Sequence, residues 1–424
     1  MTDRSRRSFL RRGSAALGTA ALGGIAGCMD NVGLGGASGS VKLGAINPLS
    51  GPASFFGELA TETQSAWAER VNEGGGIQVG DEQRQVDIVE YDDQSQNSEA
   101  RSAAQRLVTA DGVSAILSSW RSTGAIAISS IVNENQVPTF THGFTPEVNT
   151  PDTYVLRLTV STIMDAYPAL TYISESNDIE NIGVIAEEGD WGDDTLDLMR
   201  WWFRESDHAG DFKNLGRFSF DQQDFSSFIT RIKRELNNGN IDALYVQTWA
   251  SAMERFLIQA NRNNLNEALP IFTGLGGADY NNIGNVGAGM ANVHALGLYT
   301  RLDYRDVPAI EETLSQESLD QFDAYRELGA PEHPTAYNVY ADAQATQFAL
   351  EQAGSTDGQA LRDALVGNEL TTILGTVSMN DRGQPAIPGA LIRFGADGDS
   401  ATVDEVVWAD QIPPLTSIPP EEDI

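Results

Sequence analysis

The stretch Ser118-Ser119-Trp120-Arg121-Ser122-Thr123 places hydroxyls, an arginine and a tryptophan directly before a helical segment. At a helix start the first backbone N–H groups lack intrahelical partners and the dipole is positive, so such a loop can cradle an anion. Ser122 can cap the helix while also facing a ligand. Arg121, the cation of this loop, can pair with a carboxylate or point to solvent. Catalytic chemistry is not written in the chain. It has no Gly-x-Ser-x-Gly elbow, no His-Glu-x-x-His and no Gly-Lys-Ser/Thr phosphate loop. Glycines 74–76 and 274–277 do not form a dinucleotide fingerprint. His142, His208, His294 and His333 are scattered without metal-ligand spacing. These observations point to a binding protein with no cofactor and no metal, and away from an enzyme.

The elements that must hold such a loop alternate along the chain. Strand-like Val41–Pro48, 85–91, Val113–Leu117 and Val137–Thr141 are interleaved with helix-like Phe56–Asn72, Ser98–Thr109 and Thr123–Asn135. The pattern resumes with helices 163–175, 193–206, 225–236 and 250–263, and strands 182–186, 213–218, 243–247 and 269–273. Asp224 and Asp357 are candidate helix caps. Beyond Val293–Tyr299 the order loosens, with helices 335–352 and 357–366 and strands 371–378 and 390–394. Regular alternation predicts an α/β fold of parallel sheets covered on both faces, with too many units for one sheet. Two doubly wound lobes follow, with ligands beyond the carboxyl ends of the strands. The loops after Ile46, Leu117, Thr141, Ala186, Gln247 and Thr273 are therefore where a site belongs.

The amino end is a different kind of segment. Arg6-Arg7 before Ser8-Phe9-Leu10, a short apolar run and a small-residue stop read as a twin-arginine signal peptide over 1–27. Ile25-Ala26-Gly27-Cys28 resembles a lipoprotein cleavage box, with Cys28 as the lipid attachment point. Cys28 is the only cysteine, so disulfides contribute nothing. Residues 28–40 are a Gly/Ser tether. The chain carries −33 and residues 1–27 carry +4, leaving −37 on the remainder. That excess argues against nucleic acid as a partner. It also predicts a fold that needs salt screening, as in a salt-loving microbe.

Several segments together resemble a known family. Val41–Gly57, Val71–Gly76, Glu90-Tyr91-Asp92-Asp93-Gln94, Ala104–Val108, Asp190-Trp191-Gly192 and Asp224-Phe225-Ser226 occur in the order of ABC-transporter substrate-binding proteins of the branched-chain amino acid type. The resemblance implies a type I periplasmic-binding fold of two lobes joined by a three-crossover hinge. Lobe 1 would take 41–158 plus 298–390, lobe 2 would take 159–297 plus 391–412, and 413–424 would be a loose tail. By the same resemblance the ligand carboxylate would meet Ser122, Thr123 and the backbone of that loop, then Thr141–Thr145 with His142 and Phe144. Phe144 replaces a family threonine, so one hydroxyl contact is lost. Phe56, Trp191 and Trp249 stand where the family has tyrosines; with Trp120 they would form an aromatic box, or else pack in the core. Gly276 stands where amino-acid binders carry the glutamate that holds the ligand ammonium. Asp279 is the nearest acid in that loop. Either a tryptophan face holds the ammonium, or the ligand has none and is a carboxylate or amide. The expected function is a monomeric, lipid-anchored receptor that delivers a small ligand to an ABC permease. A sensor that presents its bound state to a membrane receptor is the alternative.

Overall fold

The computed structural model describes residues 39–176, 178–278, 280–297 and 316–416. The signal peptide, Cys28, the tether before Gly39, Asp279 and residues 417–424 lie outside the described residues. No helix among the described residues is long and apolar enough to cross a membrane.

The first sheet grows around β1 (Val41–Asn47), an apolar run buried at all but Lys42. Helix α1 (Ser54–Glu73) buries Phe56, Ala60, Gln64, Trp67 and Ala68, the helical spacing that presents one stripe to the core. A hairpin of β2 (Ile77–Val79) and β3 (Glu82–Arg84) follows, then β4 (Val86–Asp92). Helix α2 (Asn97–Arg106) runs into a wider turn over Leu107–Asp111, closed by Gly112 in the left-handed region. Strand β5 (Ala115–Ile116), helix α3 (Ser122–Glu134), β6 (Thr139–Phe140) and β7 (Val155–Leu156) complete this half. The strands lie in the order β4-β1-β5-β6-β7, all parallel. β7 escapes the sequence pattern because it is two residues long between polar neighbours.

The second half starts with α4 (Thr162–Glu175), whose Ser161 cap accepts from Met164 N. It continues through β8 (Ile182–Glu187), α5 (Asp190–Glu205), β9 (Phe212–Phe218), α6 (Ser226–Asn237) and β10 (Ala243–Gln247). Then come α7 (Ala250–Arg262), α8 (Leu265–Ala268), β11 (Ile271–Thr273), α9 (Tyr280–Val286) and β12 (Val293–Gly297). The cap of α6 is Phe225; Asp224 instead accepts from Ser226 N at 2.8 Å just before the helix. After residues 298–315, α10 (Gln316–Glu327), α11 (Pro334–Ala353) and α12 (Gly358–Leu365) follow, and α11 packs on α1 of the first half. Asp357 caps α12, accepting from Ala360 N at 3.1 Å.

Two further details depart from the sequence reading. The single strand expected over 371–378 is a hairpin of β13 (Glu369–Thr372) and β14 (Gly375–Ser378). The second sheet is not all parallel. Its order is β16-β15-β12-β11-β10-β8-β9, and β15 (Ile387–Asp397) and β16 (Ser400–Ile412) run antiparallel at its edge. β16 lies at the sheet edge with Ile412 its one buried residue, and its Val406-Val407-Trp408 run is only half-buried. Leu415 O accepts from Ser161 Oγ at 2.7 Å, so the chain just after β16 is tied to the start of α4.

The chain crosses between the two sheets at 157–161 and again at 379–386. Fully buried Arg157 links these crossings. It donates to Gln384 Oε1 at 2.9 Å, to Asn149 Oδ1 at 2.6 Å, and to the carbonyls of Gly143 and Thr145. Burial pulls the Arg157 guanidinium down to about 9, against the raising pull of the Asp194 carboxylate.

Candidate functional site

The loop after β5 is built on Asn47, the last residue of β1. This fully buried amide accepts from Ser118 Oγ at 2.6 Å and Trp120 Nε1 at 3.1 Å, and donates to Gln64 Oε1 and Glu90 Oε1. Asn47 thereby fixes Trp120, with its indole N–H already used. Arg121 precedes α3 with φ of 63°, a strained conformation for a residue with a side chain. Thr141–Thr145 lies flush against this turn: a Cβ at Gly143 would stand 2.8 Å from the Arg121 carbonyl and Ser122 N, so only glycine fits. The hydroxyls expected to face a ligand have internal partners. Ser122 Oγ accepts from Thr145 N at 3.1 Å. Thr123 Oγ1 and Arg121 Nη2 both donate to Asn97 Oδ1 at 2.9 Å. Arg121 Nε is buried without a hydrogen-bond partner.

His142 stacks on Trp120 at 4.4 Å, and its Nε2 stands 3.0 Å from Asp342 Oδ2 of α11, off the line of a good hydrogen bond. Burial pushes the Asp342 carboxyl up to about 6, against the lowering pull of His142. His142 is therefore braced by its own half of the molecule while one ring face remains at the site.

Across from these residues stand the strand ends of the second sheet. Trp191 is in the first turn of α5, and Trp249 is the residue before α7, in extended backbone. The rings meet in one lattice. Phe56 stacks on Trp120 at 5.9 Å and meets Trp249 edge-on at 6.0 Å. Phe144 stacks on Trp191 at 5.0 Å and touches Trp249 at 5.5 Å. Trp191 and Trp249 lie 6.2 Å apart. These spacings are those of favourable aromatic pairs, and the lattice joins the two halves.

A cavity of about 380 Å³ lies among these rings, within the range of small-molecule sites. Phe56, Trp120, Ser122, Thr123, His142, Phe144, Trp191 and Trp249 all line it. Gly276 does not line it. It sits in the Leu275–Ala278 turn, where a Cβ would run into the Thr248 carbonyl oxygen, so a glutamate side chain has no room there. No group of His, Cys, Asp and Glu among the described residues could hold a metal ion.

Three features lay beyond sequence reasoning. Glu187, at the end of β8, lines the cavity and accepts from Thr248 Oγ1 at 2.8 Å. Burial pushes its carboxyl up to about 7. Fully buried Asp165 accepts from Gln247 Nε2 and Leu275 N, both at 2.8 Å, tying α4 to the loops that carry Trp249 and Gly276. Asn47 is the third. A polar residue ending a buried strand was the available signal for Asn47 and Glu187, but it does not say which loop the side chain reaches.

The model of the periplasmic binding protein family matches residues 40–399. The chain belongs to that family. Among relatives it is similar to the Leu/Ile/Val-binding protein BraC3 of Rhizobium johnstonii, 25% identical over 82% of this chain and 89% of the relative. Its fold is shared with a solute-binding protein of an ABC transporter from Rhodopseudomonas palustris in complex with p-hydroxybenzoic acid. That likeness has a TM-score of 0.74 and 16% identity, and covers 88% of this chain and 98% of the other. The isoleucine-bound branched-chain amino acid transporter substrate-binding protein of Streptococcus pneumoniae matches with a TM-score of 0.70 and 17% identity over 88% and 99%. What these proteins have in common with this chain is the fold.

Proposed function

We propose that this protein is the solute-binding subunit of an ABC importer. It captures a small carboxylate or amino-acid-like ligand between its lobes and delivers it to a membrane permease. The observation that carries this reading is the ring-walled cavity, with Phe56, Trp120 and Phe144 on one side and Trp191 and Trp249 on the other. A ligand that touches both walls stabilises the closed arrangement, which is the form a permease would recognise. The lobes proposed are 41–158 plus 298–390 and 159–297 plus 391–412; the pairing of β15 from Ile387 onward favours a last crossing slightly earlier. Export by the twin-arginine leader and attachment through Cys28 fit this role, since a tethered receptor has a raised effective concentration at its permease. One lipid chain anchors marginally, so a two-chain lipid suits the task.

Protein purified at molar salt should release a small carboxylate on denaturation, identified by mass spectrometry. Substituting Trp249→Ala or Trp191→Ala should weaken its rebinding at least tenfold, about 1.4 kcal/mol. Unchanged affinity in both variants would show that the rings are packing only.

A further inference from the structure

Glu187 is the group in this cavity that the proposed function leaves without a role. Its Oε2 accepts from Thr248 Oγ1, and no arginine, lysine or histidine pairs with it among the described residues. A half-buried carboxylate in a ring-walled cavity with one hydroxyl partner is costly unless a positive group satisfies it. The alternative place for an acid on this wall is closed, because the Thr248 carbonyl occupies the space a side chain at Gly276 would need. The same residue, Thr248, thus blocks one position with its backbone and orients Glu187 with its hydroxyl.

The rest of the lining is sorted by charge. Arg121, the one arginine or lysine of the lining, lies on the wall of the first sheet with His142, whereas Glu187, Glu188 and Asp190 lie on the wall of the second. Trp191 and Trp249 stand beside the acids, and ring faces attract cations. Their indole N–H groups are buried without acceptors, which suits a ligand that also carries carboxylate or carbonyl oxygens.

We propose that Glu187 is the counter-ion for a cationic nitrogen of the ligand, with the faces of Trp191 and Trp249 as its walls. The ligand class is then a small zwitterion, a carboxylate bearing a primary or an N-methylated ammonium. This rests on the reading of the cavity as a solute site and narrows it. Glu187 takes its proton back readily when no cation is near, since burial raises its carboxyl to about 7. A bound cation drives that proton off. The titratable and charged neighbours of Glu187 are Glu188 and Asp190 on its own wall, with Arg121 and His142 opposite; none of them is removed in the test.

The test uses the full-length protein at molar KCl, in parent and Glu187→Gln forms, titrated calorimetrically with L-leucine, glycine betaine and 4-hydroxybenzoate. The melting temperatures of the two forms serve as the folding control. At least one of the two cationic probes should bind the parent, and bind the variant at least about tenfold more weakly. Binding of leucine or of betaine distinguishes the primary from the methylated nitrogen. Below pH 7, binding to the parent should release about one proton, read from buffers of different ionisation enthalpy, and binding to the variant none. Binding of 4-hydroxybenzoate alone, or amine affinity equal in both forms, would overturn the assignment of Glu187 and leave the solute-site reading standing. If none of the three probes binds, the reading of the cavity as a small-carboxylate site fails, and this inference with it.

Discussion

Asp165 offers a sharp test of how the site is supported. Its two oxygens take Gln247 Nε2 and Leu275 N at the base of the loops that carry Trp249 and the Gly276 turn. Complete burial outweighs those two hydrogen bonds and raises the carboxyl from 3.8 to about 6. The folded protein therefore holds this proton more tightly than the unfolded chain does. The stabilising contribution is fully present below about pH 4 and is lost as pH rises through about 6. Above that, the ionised carboxylate costs about 3 kcal/mol relative to its neutral form. Asp165→Asn keeps the shape and removes the charge. The amide oxygen still accepts from Leu275 N. Its NH2 group finds the Gln247 Oε1, a buried oxygen without a partner, once the Gln247 amide turns over. The variant should therefore be more stable than the parent by about 1–2 kcal/mol at pH 5 and about 3 kcal/mol at pH 8. Urea unfolding at fixed molar KCl measures this. Asp342, Glu187 and Asp194 are raised by burial in the same direction, to about 6, 7 and 7, so the informative quantity is the gap between variant and parent. A variant less stable than the parent at pH 8, or a gap that does not grow with pH, would refute the reasoning.

Two further outcomes are expected. Cys28→Ala should leave the exported protein in the medium instead of in the membrane fraction; retention of the variant with membranes would remove Cys28 as the anchor. With −37 outside the signal peptide, transfer from molar to millimolar salt lengthens the screening distance from about 3 Å to beyond about 30 Å. Far-UV dichroism should then show loss of helix, and full helicity at millimolar salt would contradict the dependence on screening.

The site was legible in the sequence where local chemistry suffices. The loop 118–123 at the start of α3 could be recognised because hydroxyls, an arginine and free backbone N–H groups at a helix start can meet an anion. The rings at Phe56, Trp191 and Trp249 could be recognised because each falls where a strand gives way to a helix. Eight of the expected contacts do line one cavity, but Gly276 does not. The hydroxyls of Ser122 and Thr123 show the limit of that reading. Each spends a hydrogen bond on a neighbouring segment, Thr145 N in one case and Asn97 at the start of α2 in the other, and no property of residues 118–123 announces either partner. β16 was missed for a related reason. It pairs with β15 along its whole length, but Asp404 and Glu405 interrupt its apolar residues, and the pairing itself is not visible from the segment alone.

By itself the sequence determined the alternation of strands and helices, the two halves of the fold and the kinds of side chain at the strand ends. Those follow from periodic burial, which each segment carries within its own few turns. The tertiary structure decided which of those side chains meet. Asn47 reaches Trp120 across 73 positions, and Gln247 reaches Asp165 across 82. The Thr248 carbonyl excludes a side chain at Gly276 while its hydroxyl holds Glu187 at the cavity. Such meetings depend on strand order, register and the crossings held by Arg157. These are set by the packing of whole sheets, so a reading of successive residues has no access to them.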